Sequence, residues 1–140
     1  MSKKVLIQGP IQASKIADSI EKHSCKTGIG AHNIFLGQVR ADKHEGKQVK
    51  GIEYSAYEEM AEQVFNDIRE DIFKKHNITC MHIYHSLGMV KAGEISLFVF
   101  VSSKHRGVSY EASRDVVEQI KEKAPIWKKE FFETEEYQWV

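Results

Sequence analysis

The hydrophobic and polar residues of this chain follow two kinds of pattern, one typical of strands and one of helices. Short apolar or alternating segments over residues 5–8, 31–40 and 49–57 indicate strands. A repeat near 3.6 residues between residues 58 and 76 indicates the longest helix. The complete predicted order is strand, helix, two strands, helix, two strands, helix and a terminal strand.

Three helices are predicted from apolar residues at helical spacing. The first follows Pro10, a residue that a first helical turn tolerates, and the third is capped by Ser109 and stopped by Pro125. The second covers residues 58–76. The apolar stripes are Ala13, Ile16, Ala17 and Ile20 in the first helix, Met60, Ala61, Val64, Ile68, Ile72 and Phe73 in the second, and Ala112, Val116, Val117 and Ile120 in the third.

The strands after the second helix are expected to form the centre of the sheet. They cover residues 78–84 and 94–103, with a bend at Gly88 and Gly93 between them. The segment Leu97–Val101 is apolar on both faces, so we expect helices on one face and another subunit on the other. The aromatic tail, residues 131–140, is expected to dock on the domain. This order predicts a dimer-forming α+β fold with a mostly antiparallel sheet packed with helices.

Size, charge and composition narrow the class of protein. A chain of 140 residues predicts a single domain over residues 1–140, and 41% hydrophobic with 29% charged residues is typical of a soluble globular protein. Lysine plus arginine equals aspartate plus glutamate, 20 each, which argues against a nucleic-acid-binding protein. Neither a membrane helix nor a signal peptide is predicted. We therefore expect a cytoplasmic protein.

Cysteine and histidine spacing gives no metal or disulfide framework. Cys25 and Cys80 are far apart and form no zinc-binding motif, which favours reduced thiols. His82 and His85 are three residues apart in a predicted strand, which places them on opposite faces and argues against a shared metal. We expect neither a metal site nor a bound cofactor.

The most informative local feature is a group of lysines around Pro125. Lys121 precedes the proline and Lys128 follows it, and the break that proline imposes lets both side chains converge on one site. Four lysines and a tryptophan expected to be buried, Trp127, make this a candidate site for a multiply anionic ligand. The alternative is a solvated helix end with cations near its negative dipole.

Two further segments carry candidate anion-binding residues. His105 and Arg106 lie in the loop between the apolar central strand and the third helix, where a guanidinium and an imidazole suit phosphate or carboxylate and proton transfer. The alternative there is a basic surface turn. Arg40 ends the second strand, and Gly37 within that strand permits a close approach of a ligand or backbone.

Taken together, three separated segments resemble the catalytic, large subunit of molybdopterin synthase. They are Phe35-Leu36-Gly37-Gln38-Val39-Arg40, Ser103-Lys104-His105-Arg106, and Ala124-Pro125-Ile126-Trp127-Lys128-Lys129-Glu130 preceded by Lys121. The likeness continues through Glu53–Tyr57, His85–Gly88 and Ala92–Glu94, so it covers nearly the whole chain. It implies a hammerhead-like fold.

The resemblance implies a sulfurtransferase. Members of that family convert cyclic pyranopterin monophosphate into the molybdopterin dithiolene, with sulfur delivered as a thiocarboxylate on the C-terminal Gly-Gly of a small ubiquitin-like partner. It also implies a homodimer within a heterotetramer. Since the sulfur arrives on another chain, the catalytic chain needs cations and acid–base groups but no thiol of its own.

Residue roles implied by the resemblance fall into two sets. Lys121 is expected to lie nearest the incoming thiocarboxylate and Lys128 against the substrate. The substrate-binding set, contributed by both protomers, consists of Gln38, Val39, Arg40, His105, Arg106, Lys129 and Glu130. Pro125 and Trp127 are expected to be scaffold.

The chain departs from the family pattern at Gln38, where a lysine is common, and in its short C-terminal tail. Two other functions stay open. One is a non-catalytic module that docks a ubiquitin-like tail, and the other is a small phosphate-ester enzyme that uses His105 and Arg106 without a protein partner.

Overall fold

The computed structural model describes residues 4–140, and these form one sheet with three helices. Residues 1–3, the start of the domain predicted over 1–140, lie outside the described residues. The elements in chain order are β1 (Leu6–Gln8), α1 (Ala13–Lys22), β2 (Ala31–Gln38), β3 (Lys43–His44), β4 (Lys47–Ala56), α2 (Glu58–Lys75), β5 (Cys80–Lys91), β6 (Ile95–Ser103), α3 (Arg106–Lys123), β7 (Ile126–Phe132) and β8 (Tyr137–Trp139).

The sheet runs β2-β6-β5-β4-β7-β8, with β1 beside β5 and β3 beside β4. Every pairing is antiparallel except that of β1 with β5. The predicted α+β class with a mostly antiparallel sheet is therefore confirmed.

The two faces of the sheet are covered by different helices. On one face α2 and α3 pack over the larger core, which includes Leu97, Val99 and Val101 of β6. On the other face Ile11 and the partly buried Ile16 of α1 cover Phe98 and Phe100. The expectation that another subunit covers this second face is wrong, because α1 and the segment before it bury the aromatic side chains of β6.

The stripe predicted for α2 needs one correction. Its buried residues are Ala61, Phe65, Ile68 and Ile72. Met60 and Phe73 are exposed instead. Phe65, which the predicted stripe omits, lies beside Val64 of that stripe and packs in the core against the sheet. Glutamates in the first turn and lysines in the last turn complement the helix dipole.

The predicted bend after β5 also differs from the structure. β5 continues to Lys91, and Gly88 lies inside the strand with a φ of 80°. A positive φ of this size suits glycine, since it has no Cβ. Before Gly88 the strand pairs with β6, and from Gly88 onward it pairs with β4. At Gly88, β5 therefore changes its antiparallel neighbour from β6 to β4.

The start of α3 lies three residues before the predicted cap. The helix begins at Arg106 with His105 as its N-cap residue, and the Ser109 hydroxyl donates to the Arg106 carbonyl within the first turn. The predicted end is confirmed, since Ala124 is extended and β7 begins just after Pro125. No helix within residues 4–140 is long and apolar enough to cross a membrane.

Candidate active site

The end of α3 and the start of β7 bring Lys121 and Lys128 together. The extended Ala124 and the following proline reverse the chain, so the last turn of the helix lies over the strand. The two side chains are close enough that the charge of Lys128 acts on Lys121 and that both charges act on His85. The sequence prediction that the break at Pro125 makes these lysines converge is confirmed.

The proximity of the two lysines affects their charges. Two ammonium groups repel each other, so a lysine beside a second positive charge loses its proton more readily than an isolated lysine does. Lys121 as a whole residue remains exposed. Desolvation at its amino group and the positive charge of Lys128 nevertheless lower the pKa of Lys121 below the usual lysine value. Lys121 is therefore the better candidate for the neutral member.

The floor beneath the lysines is formed by Tyr54 and His85. Tyr54 lies directly opposite Lys128 in the pairing of β4 with β7, so the two side chains share a face of the sheet. The Tyr54 and His85 rings meet edge to face, with centroids 5.2 Å apart. His85 also lies opposite Leu97, whose side chain belongs to the core under α2 and α3.

His85 is held neutral in this position. Its side chain is buried, with the residue only 4% exposed, and Nδ1 is 2.8 Å from the Ser86 carbonyl oxygen. Burial is the main cause that lowers the pKa of His85 to about 4, and the charges of Lys121 and Lys128 add to it against the opposing carbonyl hydrogen bond. At neutral pH the site therefore holds two lysines above an uncharged imidazole.

His85 was not predicted as a site residue. The sequence showed only that it and His82 face opposite sides of a strand, which the structure confirms, since His82 lies opposite Phe100 on the α1 face. A signal that could have found His85 is its position three residues before Gly88. At Gly88, β5 changes its antiparallel neighbour from β6 to β4. A side chain of β5 just before this glycine therefore lies beside β4, which in turn pairs with β7.

The residues predicted at the end of β2 do not meet the lysine pair within one chain. Val39 is buried in a core cluster with Tyr54 and Val90. Its neighbour Gln38 is exposed. The Arg40 side chain, 82% exposed, forms an ion pair with Asp42 at 3.3 Å.

His105 and Arg106 are exposed at the opposite end of α3 from Lys121. Arg106 and Lys121 are the first residue and the third-last residue of this helix. At about 1.5 Å of rise per residue, roughly 22 Å separates their backbones. A single chain therefore does not bring the predicted anion-binding pair to the lysine pair.

Strand alternation separates the remaining residues of β7. The Lys129 ammonium lies 3.9 Å from the ring centroid of Tyr137 and near the rings of Phe131 and Trp139, on the face away from Lys128. Glu130 shares the face of Lys128, but its carboxylate accepts from Gln138 at 2.8 Å and contacts His44. Trp127 is 53% exposed, so the prediction of a buried tryptophan is wrong.

A cavity formed by other described residues lies elsewhere. It has a volume of about 240 Å³ and is lined by residues of α2, β5 and the segment entering β1. Two of the charged groups at its wall are engaged by the backbone, since Glu62 accepts from the Val5 and Leu6 amides and Arg69 donates to the Met81 carbonyl. We therefore assign the chemistry to the lysine pair and not to this cavity.

Metal-binding and thiol chemistry find no support in the described part of the chain. No group of three or more histidine, cysteine, aspartate or glutamate side chains between residues 4 and 140 is placed to hold a metal ion. Cys25 and Cys80 are both free thiols, and neither lies at the lysine pair as a contacting residue.

A mostly antiparallel α+β domain that presents two neighbouring lysines over a neutral floor has a candidate site for anionic ligands. The family can be stated as well. The chain belongs to the MoaE protein family, whose model matches residues 6–123.

Relatives from bacteria and animals support this assignment. A molybdopterin synthase catalytic subunit of Bacillus subtilis (strain 168) is 38% identical over 131 residues, covering 94% of this chain and 80% of the relative. The subunit of the same name from Homo sapiens is 41% identical over 104 residues, covering 74% of this chain and 55% of the relative. The chain thus spans most of the bacterial relative and about half of the human one.

Solved structures agree with the fold. The crystal structure of molybdopterin synthase from Staphylococcus aureus superposes with a TM-score of 0.85 at 31% identity, covering 100% of this chain and 98% of that one. A complex of subunits 1 and 2 of molybdopterin-converting factor from Helicobacter pylori 26695 matches with a TM-score of 0.80 at 24% identity, covering 96% of this chain and 88% of that one. The second match is evidence for the fold alone.

Proposed function

We propose that this chain is the catalytic subunit of a cytoplasmic molybdopterin synthase, with residues 1–140 acting as one domain. It transfers sulfur from the C-terminal thiocarboxylate of a small ubiquitin-like partner to cyclic pyranopterin monophosphate and so makes the molybdopterin dithiolene. The observation that carries the proposal is the proximity of Lys121 and Lys128 over a neutral floor in a chain of the MoaE family.

The chemistry of the lysine pair suits both anionic reactants. A thiocarboxylate and a phosphate each attract an ammonium group, and charge-assisted hydrogen bonds of this kind are stronger than neutral ones. Because its pKa is lowered, a larger fraction of Lys121 is neutral near neutral pH than of an ordinary lysine, and only the neutral amine can accept a proton. We assign Lys121 to the thiocarboxylate and to proton transfer, and Lys128 to the substrate.

A homodimer supplies the residues that one chain keeps apart. His105 and Arg106 lie at the start of α3, and the exposed Tyr110, one turn further along this helix, lines a surface hollow together with the exposed Phe35 of β2. A second protomer on this surface buries those rings and places the two basic residues against its partner. We propose that they, with Arg40, bind substrate phosphate across the dimer, and that two small partners complete a heterotetramer.

The other predicted substrate contacts have weaker support. Gln38, Lys129 and Glu130 stay predictions, because their side chains lie away from the lysine pair or are engaged by neighbouring residues. Val39 is proposed to act through packing, since it is buried beside Tyr54 under the floor.

Reconstitution tests the proposed reaction. The chain is incubated with cyclic pyranopterin monophosphate and a ubiquitin-like partner that ends in a Gly-Gly thiocarboxylate, and the dithiolene product is measured by mass. Product is expected with this partner and not with the same partner ending in an ordinary carboxylate. Partner binding without turnover would support the docking-module alternative. Phosphate-ester cleavage by the isolated chain would support the small-enzyme alternative.

Mixing two inactive variants tests the cross-dimer site. Lys121→Ala and Arg106→Ala are each expected to be inactive as homodimers. A mixed dimer has one intact site if Arg106 acts on the partner's lysine pair, so random mixing should restore about one quarter of wild-type activity. No recovery after verified subunit exchange would show that both residues act within one chain or that Arg106 lies outside the site.

A further inference from the structure

The lysine pair lies beside a carboxylate with which it does not pair. Among residues 4–140 no ion pair joins a carboxylate to Lys121 or Lys128. Glu130 follows Lys128 by two positions in β7, so both side chains point to the same face of the sheet. Same-face neighbours along a strand are about 6.6 Å apart, a gap that a lysine and a glutamate side chain can bridge together. Some other contact therefore keeps the Glu130 carboxylate from Lys128.

The Glu130 carboxylate is held on the side away from Lys128. Its Oε1 accepts a hydrogen bond from Gln138 Nε2 at 2.8 Å and lies 3.5 Å from His44 Nε2. Gln138 is the direct cross-strand partner of Glu130 in β8. The His44 ring packs edge to face on Phe132, with centroids 6.0 Å apart, and Phe132 is the next same-face residue of β7 beyond Glu130. His44 therefore draws the carboxylate in the direction opposite to Lys128.

His44 reaches this carboxylate because the hairpin of β3 and β4 is anchored to the end of β7. Lys47, directly opposite His44 in the hairpin, forms an ion pair with Glu136 in the turn between β7 and β8. The Glu133 amide of the same turn donates to the Gln48 carbonyl at 3.0 Å. These contacts fix the hairpin without the help of the carboxylate, so the position of His44 does not depend on it.

The restraint on Glu130 matters for the charge that Lys128 presents to a ligand. An ammonium group that pairs with a carboxylate of its own chain must give up this partner before it binds an anion, and its apparent affinity for the anion falls accordingly. The Glu130 side chain is 11% exposed, so water would screen such a pair only in part. As long as Gln138 and His44 engage Oε1, the Lys128 ammonium stays available to a ligand.

We propose that His44 and Gln138 are positioning residues for the lysine pair: they hold the Glu130 carboxylate away from Lys128 and so leave its ammonium group to an anionic ligand. The identity of that ligand, the phosphate of the pterin or the thiocarboxylate of the partner, rests on the proposed synthase activity. The affinity of the site for an anion does not. Glu130 acts in this way without touching the substrate.

Anion binding by the full chain without its partner tests the proposal without turnover. In protein labelled with ¹⁵N-lysine, inorganic phosphate is added at low ionic strength, and the shift of the Lys128 side-chain nitrogen, assigned through Lys128→Arg, gives the Kd. The test variant combines His44→Phe, which keeps a ring on Phe132, with Gln138→Leu, which keeps a side chain of similar size. It is expected to bind phosphate about fivefold more weakly, the effect of one ion pair at a partly exposed site.

Neutralising Glu130 distinguishes positioning from a purely structural role. In the Glu130→Gln background the same two substitutions should leave the Kd for phosphate unchanged, because no carboxylate remains to be released toward Lys128. Lys43→Met is the matched control, since Lys43 is the exposed neighbour of His44 in β3, and it should bind phosphate like wild type. An unchanged Kd in the folded variant with His44→Phe and Gln138→Leu overturns the proposal. So does a weakening of equal size in the Glu130→Gln background.

Turnover gives an independent readout and shows which level fails. In the reconstituted reaction the variant with His44→Phe and Gln138→Leu should raise the KM for the pterin by a larger factor than it lowers kcat, because the released carboxylate competes with substrate binding. If phosphate binding responds as expected while no dithiolene forms, the positioning role stands and the proposed function is wrong. If product forms but phosphate binding ignores the substitutions, the function stands and His44 and Gln138 are only structural.

Discussion

Replacing Lys121 or Lys128 by alanine is expected to lower the rate of dithiolene formation by at least about 100-fold, the usual range for a positioned proton-transfer group. Each change removes one member of a neighbouring pair. The measurement is a single-turnover reaction with the thiocarboxylated partner. Lys123→Ala is the matched control, because Lys123 lies in the same last turn of α3 and its ammonium bonds Gln119. It should react at the wild-type rate.

A measurement of unfolding by urea distinguishes a loss of catalysis in Lys121→Ala from a folding defect. Burial and the charge of Lys128 disfavour the protonated form of Lys121 in the folded state, so removing its amino group relieves that repulsion. We therefore expect Lys121→Ala to unfold at the same or a higher urea concentration than wild type. The double variant should be no slower than the slower single variant, because residues that act as a unit are not additive. A stable Lys121→Ala protein with normal turnover would remove the lysine pair from the reaction.

The parts of this site that could be predicted from sequence are those fixed by local chemistry. Pro125 ends α3 whatever the rest of the chain does, because it disfavours a helical residue before it. Lys121 and Lys128 are seven positions apart on either side of this break, so their approach can be predicted from the local sequence. The central position of Leu97–Val101 follows similarly, because a segment that is apolar on both faces needs cover on both.

The parts that could not be predicted depend on contacts distant in sequence. His85 becomes a floor residue only because Gly88 adopts a positive φ inside β5 and joins that strand to β4. A glycine in a sequence signals a turn as readily as a bent strand, and the turn was predicted. The alternation that places Lys129 away from Lys128 required β7 to begin at Ile126, which the sequence pattern did not show. Strand pairing therefore decides which of the basic residues share a face.

Lowering the pH from 6.5 to about 4 is expected to lower the free energy of unfolding of this protein, because His85 titrates differently in the folded and unfolded chain. The pKa of His85 is about 4 in the folded chain, mainly because of burial, against 6.5 for an ordinary histidine. Between these values the unfolded chain binds a proton that the folded chain does not, so stability is complete above pH 6.5 and falls as the pH drops toward 4. The loss over this window is about 3 kcal/mol, since one pH unit corresponds to about 1.4 kcal/mol.

Urea unfolding between pH 7.5 and 3 measures this window, and His85→Phe is the control because it removes the titrating ring nitrogens. The wild type should lose stability steeply between pH 6.5 and 4, whereas the variant should be nearly flat there. Both should lose stability further below about pH 4, because hydrogen bonds from Lys75 and Gln119 lower the pKa of Asp71. Burial alone would raise the pKa of Asp115, but hydrogen bonds from Gln119 and His76 and nearby positive charges lower it overall. Equal slopes for the two proteins above pH 4 would mean that His85 is protonated in the native site. In that case a positive charge would lie beneath the lysines, and the neutral floor described for the site would not exist.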